Sequence, residues 1–146
     1  MTIDYSRTQK IIHWLMAIII MLDLNVAQKF GGNMELWDRL ESRSDHATAG
    51  MIVTFLFILR IILRYFYGAP KLPSTMPAWQ VVSAKLGHYS LYFLMAGLII
   101  TGIAMASFAS DPIIVFGIDL AFALHNQSTF HQIRDFHEFC TNAIIL

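Results

Sequence analysis

Three apolar runs, each about as long as a bilayer is thick, leave this chain few folds to choose from. They lie between Lys10 and Lys29 (IIHWLMAIIIMLDLNVAQ), between Asp45 and Arg64 (HATAGMIVTFLFILRIIL) and between Lys85 and Asp111 (LGHYSLYFLMAGLIITGIAMASFAS). A helix needs roughly 20 mostly apolar residues to cross a hydrocarbon core of about 30 Å. Inside that core every backbone N–H and C=O must be satisfied within the segment, which favours helices. A fourth run begins near Ile133 and is cut short at Leu146. Composition agrees, because 146 residues with 56% hydrophobic and 14% charged side chains are too apolar for an ordinary soluble domain. The expected fold is all-α: one integral membrane four-helix bundle over residues 1–146, with helices near 8–29, 46–66, 82–108 and 133–146 and the fourth incomplete.

A net charge of zero gives no electrostatic footprint for nucleic acid. The single cysteine, Cys140, excludes an internal disulfide and a thiolate cage, and is expected to pack as a small apolar residue. Arg7 and Lys10 ahead of the first run have the look of a cleaved signal peptide, but Asp23 interrupts the run and no small-x-small cleavage site follows, so it reads as the first helix. Lys and Arg in short loops set orientation. The connection RYFYGAPKLPSTMPAWQVVSAK carries Arg64, Lys71 and Lys85 with no acid, whereas the loop after the third run carries Asp111 and Asp119 before Arg134. The second loop and the amino terminus are therefore expected on the cytoplasmic side. Pro70, Pro73 and Pro77 keep that loop non-helical.

Ionisable groups inside a span are costly and point to function. His13 follows Lys10 by three residues and His88 follows Lys85 by three, so these two imidazoles belong at similar shallow depth on the cytoplasmic side. His46 follows Asp45, and His137 follows Arg134 and Asp135, on helices that start from the opposite face. One histidine per helix, in two layers, suits a cofactor held between helices by axial imidazoles, and haem b is the obvious one. Zinc would want four protein ligands, whereas a porphyrin supplies four nitrogens and asks for two. For any one histidine, a bond to a backbone carbonyl or a snorkel to the interface is as good an account; the pairing by depth is what favours a cofactor.

Gly50 lies one turn from His46, where a missing side chain leaves room for a flat macrocycle; close helix packing would also favour Gly there, and Ala47 and Ala49. Arg60, fourteen residues after His46, returns to within about 40° of the same face about 21 Å deeper, where it would pair with a haem propionate or snorkel to the interface. Asp23 and Asn25 raise the idea of a proton or ion path, though bonding to neighbouring helices or water is the preferred account. His125 and His131 read as surface residues, and Trp37 and Trp79 as connection residues near the interfaces.

YSRTQKIIHW at the start, DHATAGMIVTFLFILRIILR in the second helix, KLGHYSLYFLMAGLIITGIAM in the third and IRDFHEF in the fourth resemble the bacterial cytochrome b561 family, related to the cytochrome b subunits of nickel hydrogenases. The resemblance covers nearly the whole chain, through the order and spacing of its histidines. It implies an inner-membrane protein with two b haems that passes electrons between quinone, ubiquinone or menaquinone, and a partner or small oxidant near the periplasmic face. It makes His46 and His137 the axial metal ligands of the periplasmic haem and His13 one ligand of the cytoplasmic haem. The family's partner of His13 would fall five residues past Leu146, so the chain looks truncated, and His88 would be either a stand-in ligand or a neighbour of propionate or quinone. Some members oxidise superoxide and pass its electron to quinone; here that would depend on Lys29, Arg39 and Arg43, in a first loop that is slightly acidic overall.

Two imidazoles on one iron leave no open position, so the expected chemistry is one-electron transfer. The rival expectations are a redox-inactive truncated subunit that anchors a partner, and a single-haem remnant. Lipid, quinone and an unidentified redox protein are the expected partners, and a homodimer is compatible with the chain.

Overall fold

The computed structural model describes residues 4–121, 124 and 126–145. Four helices carry the fold: α1 (Arg7–Gln28), α2 (Leu36–Tyr67), α3 (Ala78–Phe108) and α4 (Gln127–Ile145). The first three are long and apolar enough to cross a membrane, and the protein is a multi-pass, all-α membrane protein. The chain forms two compact units, one of residues 1–70 and 111–121 and one of residues 71–110 and 122–146.

In the first unit α1 packs against α2. Ser6 caps α1: its hydroxyl accepts from the Gln9 backbone N–H while the Gln9 side-chain oxygen accepts from the Ser6 N–H, satisfying two donors that a helix start leaves orphaned. Gln9 then uses its remaining amide, Nε2, to donate to the carbonyl of Gly68, 3.2 Å away. Gly68 ends α2 with φ 68°, a left-handed conformation that glycine adopts without a Cβ penalty. A second bond at this end runs from Arg64 Nη1 to the Tyr5 hydroxyl at 3.0 Å. Between helices, Ile12 and Met16 of α1 and Val53, Leu56 and Phe57 of α2 are buried, at the three- and four-residue spacings that place side chains on one helical face. Ile11, Trp14, Leu15, Ile18, Met21 and Leu22 stay exposed on α1, as a bilayer-facing surface permits.

α2 starts ten residues before the apolar run that marks it. LWDRLESRSD is amphipathic and continues the same helix, with Asp38 in its first turn where the helix dipole favours an acid. Trp37 and Trp79 are correspondingly in the first turns of α2 and α3, both exposed, rather than in connections.

A feature absent from the sequence reading completes the first unit. Ile114–Val115 and Ile118–Asp119 form a two-strand antiparallel hairpin, Ile114 opposite Asp119 and Val115 opposite Ile118. Its turn has Phe116 at φ 50° and Gly117 at φ 81°, the pair of positive angles of a type I′ turn. The hairpin is tied to the charged start of α2: Arg43 Nη1 donates to Asp111 Oδ2 at 2.7 Å, and the Ile114 N–H donates to Ser44 Oγ at 3.1 Å. Asp119 Oδ1 accepts from the backbone of both Ile113 and Ala121.

In the second unit α3 packs against α4. Pro77 stands at the N-cap of α3, where its missing N–H costs nothing. Asn126 Oδ1 accepts from the Thr129 N–H and caps α4, which therefore begins six residues before the expected start. The helices meet through small residues, as membrane helices do. Cys140 is 1% exposed, and a Cβ added at Gly97 would come within 3.2 Å of its Sγ. The cysteine thus packs as a small apolar residue against a glycine.

Candidate functional site

In the first unit His46 sits in the third turn of α2, half-buried. Its Nδ1 is 2.9 Å from Asp23 Oδ1 of α1, and the Phe30 ring packs edge-on to it with centroids 5.9 Å apart. Asp23 therefore bonds a neighbouring helix, while Asn25 donates to the carbonyl of Met21 in its own helix. An ionised carboxylate only accepts, so with Asp23 ionised and the ring neutral the proton of this contact is on Nδ1 and the lone pair on Nε2. Gly50 follows one turn later, and nothing lies within 4 Å of where its Cβ would be. A flat group therefore has room on that side of α2.

His137 of α4, in the second unit, is also half-buried, with Nδ1 2.8 Å from Thr101 Oγ1 of α3. Thr101 is itself buried, and its hydroxyl is 2.6 Å from the carbonyl of Gly97. A hydroxyl has one proton and a carbonyl has none. The short contact to Gly97 uses the hydroxyl proton, so the proton between Thr101 and His137 must come from His137 Nδ1. Gly102 lets the ring lie close to α3, its Cβ position being 3.7 Å from His137 Cε1. Beside Thr101 is an apolar hollow lined by Phe93, Ala96, Gly97, Ile100 and Phe136.

The remaining histidines differ. His13 on α1 is exposed, its ring 5.9 Å from that of Trp14. His88 on α3 is exposed, as is His131 on α4, which lies edge-on to Phe130. Arg60 is half-buried on α2, and His125 lies outside the described residues. At the His46 end of the first unit, a cleft is lined by Lys29, Asp38, Glu41, Ser42 and Asp45, and Arg43 is paired with Asp111.

Neutral imidazoles with Nδ1–H committed to an acceptor carry the lone pair on Nε2, which is the form that ligates a metal. Together with the open side of Gly50, this donor chemistry fits a haem. Thr101 is the residue that sequence reasoning missed. It lies in LIITGIAM, where a threonine bonding back to its own helix is unremarkable until α4 is laid against it.

The family model described as prokaryotic cytochrome b561 matches residues 4–146. Among curated proteins, cytochrome b561 homolog 1 of Escherichia coli (strain K12) is 27% identical over 143 residues, covering 94% of this chain and 80% of that protein. A probable superoxide oxidase, CybB of Yersinia pestis, is 26% identical over 117 residues, covering 78% of this chain and 64% of that one.

Proposed function

The chain belongs to the prokaryotic cytochrome b561 family and is accordingly a membrane b-type cytochrome of electron transfer; we propose that it works in a bacterial inner membrane, amino terminus in the cytoplasm, moving single electrons between quinone and a periplasmic-side partner. His46 and His137 are proposed as the axial ligands of the haem nearer the periplasm. His13 is proposed as a ligand of a second haem, with His88 at matching depth in the sequence as its opposite ligand or as a contact to propionate or quinone. Arg60 is proposed as the propionate's cation and Gly50 as the gap beside the macrocycle. The observation that carries this reading is the setting of the two imidazoles: Nδ1 of each lies within hydrogen-bond distance of a side-chain oxygen in its own unit, 2.9 Å for His46 and 2.8 Å for His137.

Haem b, held by His46 and His137, would supply an iron that changes oxidation state by one electron. The chain's own contribution is to hold each imidazole neutral and oriented, and to surround it with apolar side chains such as Phe30 near His46 and Phe136 near Thr101. The relative named as a probable superoxide oxidase raises superoxide as an electron source. Against that, Arg43 is paired with Asp111, and Lys29 shares its cleft with Asp38, Glu41 and Asp45, a setting that offers an anion little attraction. A quinone-linked protein partner is the better supported choice.

The test is a reduced-minus-oxidised visible spectrum of the membrane-expressed chain with haem counted per polypeptide. His46→Ala and His137→Ala should each abolish the signal of one and the same haem, and His125→Ala should leave it intact. A chain that binds no haem would be an anchor or remnant. Rapid mixing with superoxide, read as haem reduction, decides that arm.

A further inference from the structure

Two imidazoles proposed for one metal have unlike partners. Asp23 offers His46 a carboxylate, at 2.9 Å, in a setting where the Asp23 side chain is 16% exposed. Thr101 offers His137 a neutral hydroxyl, at 2.8 Å, whose own proton is committed to the Gly97 carbonyl at 2.6 Å. Each partner stands on the helix facing its histidine within the same unit: α1 for α2, α3 for α4. The helix contacts that build the units therefore also bring an oxygen to Nδ1 of each ring.

We propose that Asp23 and Thr101 are positioning residues for the haem: they hold His46 and His137 in the Nδ1–H tautomer so that Nε2 of each faces iron, and they make the two imidazoles unequal donors. This rests on the reading of His46 and His137 as ligands. A hydrogen bond to a carboxylate draws the Nδ1 proton away, leaves the ring more basic and stabilises the ferric state; a hydroxyl acceptor does this far less. His46 is thus the stronger donor, and Asp23 lowers the haem potential. Thr101 mainly contributes orientation, since its bond back to Gly97 leaves the hydroxyl little freedom to turn.

The substitutions separate charge from geometry. Asp23→Asn keeps an oxygen acceptor and removes the charge, so the tautomer persists while the haem potential rises. Asp23→Leu removes both. Thr101→Val keeps the shape and removes the acceptor, whereas Thr101→Ser keeps the acceptor. The first readout needs no haem: ring 15N shifts of histidine-labelled, haem-free protein in nanodiscs report the tautomer of each ring. His46 and His137 should be Nδ1–H in the wild type, and Asp23→Leu and Thr101→Val should each release one ring to a mixture. In the haem-loaded protein Thr101→Val should weaken haem retention by about tenfold or more, with Thr101→Ser restoring it. Asp23→Asn should raise the potential with haem content unchanged. If the wild type binds haem through both histidines yet the variants leave tautomer, retention and potential as they were, the positioning role is overturned and the functional reading stands. If haem binds but either ring is Nε2–H in the wild type, the assignment of Nε2 to iron is overturned. A wild type without haem overturns both.

Discussion

Gly97→Ala probes a close contact between α3 and α4 in the second unit. An added Cβ would stand 3.2 Å from Cys140 Sγ, a few tenths of an ångström inside comfortable contact, and Cys140, at 1% exposure, is enclosed by its neighbours. Overpacking of this kind costs about 1–3 kcal/mol. Replacing glycine by alanine inside a helix returns up to about 1 kcal/mol of backbone propensity, so the net effect is a destabilisation of roughly 1 kcal/mol. Removing the sulfur changes the sign. In a Cys140→Ala background the clash is gone and only the propensity gain is left, so Gly97→Ala should then stabilise by up to about 1 kcal/mol. The assay is unfolding of the four members of the cycle in one detergent, followed by loss of helical signal. Because Cys140 is the chain's one cysteine, its alkylation rate reports local opening of the α3–α4 contact without labelling elsewhere. It should rise about fivefold in Gly97→Ala, the change expected for about 1 kcal/mol. Equal destabilisation in both backgrounds would refute the reasoning, since the cost would then not come from the sulfur.

Phe116 pays for its φ of 50° in backbone strain, so Phe116→Asn, a residue at ease in that region, should tighten the hairpin by about 1 kcal/mol, seen as slower amide exchange at Leu120, whose N–H donates to the Ile113 carbonyl. Asp111→Asn should weaken the tether to α2 by only about 0.5 kcal/mol, because the Asp111 carboxylate is about half exposed to solvent, and exchange at Ile114 should quicken. The bond from Lys10 Nζ, aided by the Tyr5 backbone N–H, holds the exposed Asp4 carboxyl below its ordinary value of 3.8. This pair favours the fold above that value and ceases to do so as pH falls through the lower one; Lys10→Met should move the Asp4 titration upward, followed by the carboxyl 13C shift.

Hydropathy alone reads the membrane-buried part of this fold well: the expected helices near 8–29 and 82–108 correspond to α1 at Arg7–Gln28 and α3 at Ala78–Phe108. It loses helices where they leave the bilayer, because the charged LWDRLESRSD carries helical periodicity but no apolar signal. The hairpin escapes for a different reason. IVFGID has neither the Asn-Gly nor the Asp-Gly pair that marks a two-residue turn, and Phe at a positive angle is not something propensity would choose. Histidine depth can be counted from flanking charges, which is how His46 and His137 come to notice. Asp23 shows itself as an acid inside a span, yet its bond to His46 depends on how α1 and α2 face each other. Thr101 has no such mark, since hydroxyls in apolar helices usually bond their own backbone, as this one also does to Gly97.

The 32 residues of α2 amount to about 48 Å of rod, against a hydrocarbon core of about 30 Å. Some three turns must stand clear of the lipid, and they are continuous with the stretch that carries His46. Rotational phase is therefore shared along the whole length. One residue inserted between Ser44 and His46 would swing everything on one side of it by about 100° relative to the other. The imidazole could not then keep Asp23 while Arg43 and Ser44 kept the hairpin, so length in this stretch is as constrained as residue identity.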